Sequence, residues 1–363
     1  MKSETKYRGW RGLLLVPLGL MLILPSCSTT SPEVQFRRLP ERESQGLVPQ
    51  EYLCPVGPAA EKPDPQLALE IRYFLEKSGM LGGVPAGLAS ELPIVLNGPV
   101  QTYLRSFANS KNFQASLARS GRYLPMVRKI FQEYGLPQDL VYVALVESGF
   151  CPTARSPKDA VGMWQFIEGT ARRYGLKVNE QVDERRDPEK STRAAARYLL
   201  DLYTQFGCWY LAAAGYNAGE KRVEGVVNRH DTRDFWIMAQ KKLLPEETCN
   251  YVPQLIAAAL IAKNPERYGL AGLKLQARRP AAKVKVPAGL NWRWFAHSLE
   301  MPEKEFLEFN PELQGERLPV GPKEYWLQVP GNKKQEANRL ARLSWQLEKP
   351  VSLKMSNQEK QVN

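Results

Sequence analysis

The stretch that decides the fold reads QDLVYVALVESGF and covers residues 138–150. Four of its residues have the spacing i, i+3, i+4 and i+7 that places side chains on one face of a helix. These residues are Leu140, Val143, Ala144 and Glu147. Because the first three are apolar, the pattern predicts a buried stripe that Glu147 continues. Gly149 follows directly and predicts the end of the helix.

Glu147 is therefore an acidic residue in an apolar setting. A glutamate is rarely buried without a partner, and both desolvation and the negative end of a helix dipole disfavour its ionised form. These effects predict a carboxylic acid that keeps its proton near neutral pH, as a general acid for glycoside cleavage must. The alternative from the same residues is a surface glutamate at a frayed helix end.

Helical periodicity dominates residues 66–275, which we interpret as one helical domain. The segment RAAARYLLDLYTQFG has an amphipathic pattern, with Asp187 as its expected N-cap and Pro188 in the first turn. The segment YVPQLIAAALIAKNPERYG is apolar through its middle, so we expect a helix in the core.

The amino terminus has the pattern of an export signal. Residues 1–26 combine four basic side chains with the apolar run GLLLVPLGLMLIL, and LPSC then precedes the next segment. LPSC resembles the bacterial lipobox, which implies cleavage before Cys27, lipidation of Cys27 and anchoring on a membrane. A plain membrane anchor is the alternative. Residues 27–65 are rich in Pro and charge and predict a tether.

The composition limits the partners and cofactors that we expect for this protein. The net charge is +12, and residues 1–26 contribute four basic and one acidic side chain, so the remainder carries +9. This charge favours a polyanionic partner, and export favours envelope polymers over nucleic acid. With two histidines and no phosphate-binding Gly-Lys loop, we expect no metal and no cofactor. Four cysteines remain after Cys27 and leave three disulfide connectivities open: Cys54, Cys151, Cys208 and Cys249.

Four motifs occur in order after the first helix. They are Glu147-Ser148, Gly162-Met163-Trp164-Gln165, Tyr216-Asn217-Ala218-Gly219 and Glu247-Thr248 with Tyr251. This series, over residues 120–270, resembles the lytic murein transglycosylases, particularly their membrane-bound D group. The resemblance implies a mainly α, lysozyme-like catalytic domain that cleaves peptidoglycan without water and leaves a 1,6-anhydro sugar.

The same resemblance assigns roles to individual residues. Glu147 is the implied sole acid and base, and Tyr251 is implied to contact it. The amides of Gln165 and Asn217 are implied to hold sugar hydroxyl and N-acetyl groups. Further implied substrate-binding positions are Ser148, Gly162, Met163 and Tyr216, with Trp164 beside them at the groove. Without the motif, each has an ordinary structural interpretation as a core, loop or helix-end residue.

One position departs from this pattern. Gly215 stands where relatives usually have alanine before the Tyr-Asn pair, and a glycine lowers helix stability by about 1 kcal/mol.

Two other functions stay open at this point. A lysozyme-like hydrolase would need a second carboxylate, for which Asp159, Asp183 and Asp187 are the candidates. A non-catalytic wall-binding lipoprotein would need only the groove.

The carboxyl-terminal part predicts a small α+β module. The pattern of residues 281–330 predicts the order strand, helix, helix, strand. With the pair Asn310-Pro311, the segment is similar to a degenerate LysM unit. The Gly-Asp-Thr expected after the first strand is replaced by PAGLN. Residues 331–363 are expected to form a polar tail with one amphipathic segment.

Overall fold

The computed structural model describes residues 92–320 and 323–347. The predicted signal at 1–26, the lipidated Cys27 and the tether at 27–65 lie outside these residues, as does Cys54. Among the described residues, no helix has the length and apolar character needed to cross a bilayer.

Of the helical domain predicted over residues 66–275, residues 66–91 also lie outside the described residues. The described part, residues 92–275, consists of helices and turns, so the mainly α prediction is confirmed. The helices are α1 Gly98–Asn109, α2 Lys111–Ser120, α3 Leu124–Glu133, α4 Val143–Ser148, α5 Glu168–Arg173, α6 Pro188–Phe206, α7 Trp209–Ala218, α8 Glu220–His230, α9 Phe235–Gln240 and α10 Glu246–Lys263. Short 3-10 helices cover Gln138–Tyr142 and Pro265–Tyr268.

Local signals explain where the long helices begin and how they pack. The Asp187 carboxylate accepts from the backbone N–H groups of Glu189 and Lys190, which caps α6 as expected. Gly207 adopts φ 65° at the other end of that helix. The apolar helix α10 lies in the core, as predicted, and contacts α1, α4 and α7. These contacts bring the amino-terminal half of α10 beside the end of α4.

Gly215 has a packing role that its sequence position did not indicate. A Cβ atom there would lie 2.9 Å from Phe206 Cε2 and 3.0 Å from Leu202 Cδ2, both on α6. The glycine therefore allows α7 to approach α6 closely, and its effect is not limited to a looser helix.

We expect Gly215→Ala to lower the free energy of unfolding by up to about 2 kcal/mol, since overpacking outweighs the roughly 1 kcal/mol gain in helix propensity. Urea unfolding of both forms measures the difference. Gly225→Ala is the matched control, because a Cβ at this helical glycine meets nothing within 4 Å. We expect the control to be more stable than the wild type, and equal stabilisation of both variants would contradict the packing role.

The carboxyl-terminal module has the expected strand, helix, helix, strand order. Its elements are β1 Ala281–Pro287, α11 Trp292–Ser298, α12 Glu303–Phe309 and β2 Glu324–Pro330. The strands are antiparallel, with Ala281 opposite Pro330 and Pro287 opposite Glu324. After the 3-10 turn Gly331–Lys333, helix α13, Lys334–Leu347, packs on β1 and buries Ala337 and Ala341. The module thus extends into the segment expected to be a polar tail.

Backbone hydrogen bonds join the module to the helical domain. The Asp183 N–H donates to the Glu312 carbonyl (2.8 Å), and the Gln314 N–H donates to the Gln181 carbonyl (3.0 Å). Between them, Val182 is fully buried in the apolar core of the module. The loop before α6 therefore belongs to both parts of the structure.

Candidate active site

Glu147 lies in the last turn of a short helix whose other face is buried. The predicted single helix is divided into the 3-10 turn Gln138–Tyr142 and α4, and the apolar stripe is confirmed, because Leu140, Val143 and Ala144 are fully buried. Gly149 takes φ 60° and ends α4 as predicted. The Glu147 side chain continues the stripe to its edge, where the residue stays partly exposed.

The environment of Glu147 favours its protonated form. Burial raises the pKa of Glu147 to about 7, a hydrogen bond from Tyr251 opposes this rise, and the negative charge of Glu247 adds to it. The Tyr251 hydroxyl donates to Glu147 Oε1 at 2.6 Å. Near neutral pH, this carboxyl group can therefore both give and accept a proton.

A second tyrosine joins α7 to the turn that contains Gly162 and Gln165. The Tyr216 hydroxyl donates to the Trp164 carbonyl at 2.8 Å. Burial raises the pKa of Tyr216, and the Glu147 charge contributes to the rise, which places Tyr216 in the same electrostatic environment.

The turn at residues 162–165 has a constrained backbone. Gly162 adopts φ 88°, and a Cβ atom there would lie 1.9 Å from the Arg185 carbonyl oxygen, so only glycine fits. Gln165 adopts φ 48°, and its Nε2 donates to the Gly162 carbonyl at 2.8 Å. Positive φ at a glutamine is uncommon and indicates a backbone held by its surroundings.

Ser148 connects this turn to the end of α4. Its hydroxyl donates to the Met163 carbonyl at 2.8 Å and accepts from the Cys151 N–H at 3.1 Å. The serine therefore fixes the position of the turn relative to the neighbouring Glu147.

Asn217 is held from the side of α10. Thr248 Oγ1 donates to Asn217 Oδ1 at 2.8 Å, and Asn217 Nδ2 donates to Glu247 Oε1 at 3.4 Å. Glu247 also pairs with Lys158 at 3.4 Å, with both side chains exposed. Since Tyr251 lies one helical turn after Glu247, one face of α10 contacts both Asn217 and Glu147.

Two side chains expected beside the groove are in the core instead. Met163 is 1% exposed and Trp164 is fully buried, with its indole N–H donating to Thr192 Oγ1 at 3.0 Å. The structure therefore does not bring these two side chains to the surface.

Sequence reasoning missed Arg185, whose buried side chain holds the segments on both sides of the turn at residues 162–165. Its guanidinium makes two hydrogen bonds to the Asp183 carboxylate, at 2.9 and 2.8 Å. Nη1 also donates to the carbonyls of Asp159 (3.1 Å) and Phe166 (3.2 Å) on both sides of the turn. Both members of the pair are buried. The local sequence DERRDP resembles an exposed charged loop and carries no signal for this role.

The three aspartates considered as second carboxylates have other partners. Asp159 pairs with Arg155 at 2.8 Å on the exposed surface, Asp183 pairs with the buried Arg185, and Asp187 caps α6. Glu247 is the carboxylate whose charge contributes to the pKa of Glu147.

Cys151 and Cys249 are free thiols. Within residues 92–320 and 323–347, no group of three His, Cys, Asp or Glu side chains is arranged to hold a metal ion.

Comparison with known proteins first identifies the class of domain. Residues 125–239 match the family described as Transglycosylase SLT domain. This match confirms, over residues 125–239, the resemblance that the motifs predicted.

Individual relatives then indicate which transglycosylases the chain is similar to. The chain is 33% identical over 230 residues to membrane-bound lytic murein transglycosylase D of Escherichia coli (strain K12), a match that covers 62% of this chain and 49% of the relative. It is 35% identical over 147 residues to peptidoglycan transglycosylase gp16 of Escherichia phage T7, covering 39% of this chain and 10% of the phage protein. The crystal structure of the 70 kDa soluble lytic transglycosylase from Escherichia coli aligns with a TM-score of 0.33 at 24% identity, covering 41% of this chain and 26% of that one. The chain spans about half the length of the transglycosylase D that it matches.

Proposed function

We propose that this protein is a peptidoglycan lytic transglycosylase that cleaves the β-1,4 bond between N-acetylmuramic acid and N-acetylglucosamine. The observation that carries the proposal is the Glu147 carboxyl group, whose pKa near 7 suits proton transfer in both directions. The similarity to murein transglycosylases supports the choice of polymer. The proposal includes a lysozyme-like fold for the helical domain.

In the proposed reaction, a single carboxyl group acts twice. Protonated Glu147 gives its proton to the glycosidic oxygen as the bond to the muramoyl C1 breaks. The carboxylate then takes the proton of the muramoyl C6 hydroxyl, whose oxygen forms the new bond to C1. The product is a 1,6-anhydro ring, no water is consumed, and Glu147 ends protonated as it began. The side chains of Gln165 and Asn217 bind and orient the sugar.

The amide side chains and the constrained turn support sugar binding. Among the described residues, Gln165 Oε1 has no hydrogen bond and Asn217 Nδ2 donates only one, so both can bind hydroxyl or N-acetyl groups. In this proposal Ser148, Gly162 and Tyr216 fix the turn, while Tyr251 orients the acid.

Mass spectrometry of products tests the proposed reaction. The full chain, incubated with purified sacculi, is expected to release fragments lighter by one water than those of a muramidase. Fragments of the hydrolytic mass would identify a lysozyme-like hydrolase instead. Sedimentation with sacculi in the absence of any released fragment would identify a wall-binding protein.

We expect Tyr251→Phe to lower kcat by about tenfold or more, because a hydrogen bond to a charged group is worth about 1.5–3 kcal/mol. This bond lowers the pKa of Glu147, so its loss moves the alkaline limb of the pH–rate profile to higher pH. The measurement is kcat against pH on glycan strands. Tyr268→Phe, a partly buried tyrosine outside the site, is the control. A lower kcat with an unmoved alkaline limb would contradict direct contact with the acid.

We further propose that the chain is lipid-anchored through Cys27 at the periplasmic face of the outer membrane. The LPSC sequence supports lipidation, and Ser28, in place of an aspartate after the cysteine, supports sorting to the outer membrane. The transglycosylase D relative is named membrane-bound. Cys27 lies outside the described residues. The carboxyl-terminal module is proposed to be LysM-like and to bind N-acetylglucosamine-containing glycan, which its strand, helix, helix, strand order supports.

A further inference from the structure

A groove of about 600 Å³ lies between α8 and the turn that precedes α10. The side chains of Lys221, Arg222 and Arg229 line the wall formed by α8, and Leu244 and Pro245 form the opposite wall. The reaction proposed above uses none of these residues.

The groove carries unbalanced positive charge. Lys221, Arg222 and Arg229 are all exposed, and none has an ion pair within the part of the chain that the structure describes. The acidic residues of α8 do not neutralise them. Glu220 pairs with Arg173 at 2.6 Å. Glu224 lies three positions after Lys221, but among the described residues it forms no ion pair with a groove cation, and it does not line the groove. Glu246 follows Pro245 but does not line the groove.

Both walls continue directly into the candidate active site. Arg222 lies five residues after Asn217, and Pro245 lies two residues before Glu247, which accepts a hydrogen bond from Asn217 at 3.4 Å. Because two residues of chain span at most about 7 Å, Pro245 on the groove wall lies close to Glu247 and therefore near Asn217. A substituent on a sugar bound at Asn217 could reach the groove without leaving the protein surface.

We propose that this groove binds the carboxylate-bearing stem peptide of the glycan strand held at Glu147, an inference that rests on the proposed function. The sugar rings of such a strand offer hydroxyl and acetamido groups, which do not require three cations. The peptide on each lactyl group carries free carboxylates, which Arg and Lys bind by charge-assisted hydrogen bonds. Leu243 and Pro245, which are both partly exposed, give the opposite wall an apolar surface suited to alanine methyl groups.

The test compares glycan strands that retain their peptides with strands whose peptides have been removed by an amidase. We expect the wild type to prefer peptide-bearing strands. The triple variant Lys221→Gln/Arg222→Gln/Arg229→Gln should lose about tenfold in kcat/KM on these strands, mainly through KM, as expected for three exposed charge pairs. On peptide-free strands, the triple variant should stay within about twofold of the wild type.

A charge-matched control separates the groove from overall charge. Lys111→Gln/Lys129→Gln/Lys274→Gln removes three exposed cations from other parts of the same domain and should leave both activities unchanged. Equal losses for the two triple variants, or an equal loss on both kinds of strand, would overturn the proposal.

Binding measurements keep this inference separate from the proposed function. Fluorescence anisotropy of the Glu147→Gln full chain with labelled peptide-bearing strands requires no cleavage. If the wild type cleaves no strand, the proposed function fails, while peptide-dependent binding that is lost in the triple variant still supports the groove. Unchanged peptide binding, together with lost binding to phosphatidylglycerol vesicles, would assign the groove to lipid and overturn the inference.

Discussion

Replacing Glu147 with glutamine is expected to reduce the rate of glycan cleavage by about 10³-fold or more, while the fold stays intact. Glutamine preserves the volume of the side chain and can still accept a hydrogen bond from Tyr251, but it cannot deliver a proton to the glycosidic oxygen. A positioned general acid contributes about 10²–10⁴-fold, and here one group performs both proton transfers. The measurement is release of soluble fragments from sacculi. Retention of more than about a tenth of the activity would contradict the single-acid mechanism.

Glu147→Gln lowers activity, but we expect it to raise the free energy of unfolding at alkaline pH. This gain provides a second readout. The pKa of Glu147 is about 7 in the folded protein and near its ordinary value of 4.5 in the unfolded chain. The folded state therefore binds more protons between these values, and wild-type stability falls as pH rises through about 7. The Glu147→Gln variant lacks this titration, so it should gain stability relative to wild type at pH 8, by at most about 3 kcal/mol.

Denaturant unfolding at pH 5 and pH 8 measures this difference. Glu266→Gln, at an exposed glutamate on the Pro265–Tyr268 turn, is the control and should show no comparable gain. An inactive Glu147→Gln variant with no change in pH dependence would indicate that the carboxyl group is not held in the apolar site described.

Replacing Arg185 with methionine is expected to lower the free energy of unfolding by about 3–5 kcal/mol. The change leaves the buried Asp183 carboxylate without its hydrogen-bonded counter-ion, with only Arg186 at 4.0 Å, and removes the donor shared by the carbonyls of Asp159 and Phe166. Because those carbonyls flank the turn at residues 162–165, activity should fall as well. Thermal and urea unfolding measure the first effect.

A double substitution distinguishes the buried charge from other causes. Asp183→Leu with Arg185→Met removes both charges and should recover much of the lost stability, since an apolar pair can replace a buried ion pair at little cost. Arg155→Met is the matched control, because Arg155 pairs with Asp159 at 2.8 Å with both side chains exposed, and it should cost less than about 1 kcal/mol. If Arg185→Met costs no more than this control, the buried pair does not hold the turn.

Local patterns in the chain were sufficient to predict several parts of the fold. The stripe that ends at Glu147, the stop at Gly149, the cap at Asp187 and the apolar α10 depend on neighbouring residues, and the structure contains all four. The motif resemblance identified Tyr251 as a partner of Glu147, although 104 positions separate them.

Interactions between distant segments could not be predicted from those patterns. Arg185 and Gly215 act through contacts with other elements, and nothing in their immediate neighbours distinguishes them from an exposed arginine or a helix-weakening glycine. Likewise, Met163 follows a site glycine in sequence but packs into the core, because backbone geometry decides which way the turn points its side chains.

The backbone pairing of residues 181–183 with residues 312–314 has a consequence for anyone who recombines this protein with its relatives. A cut between the helical domain and β1, in residues 276–280, would leave Val182 without its apolar surroundings and two peptide groups without partners. The transferable unit is therefore the carboxyl-terminal module together with the matching loop at 177–187. Chimeras that exchange both pieces keep the native backbone hydrogen bonds between them.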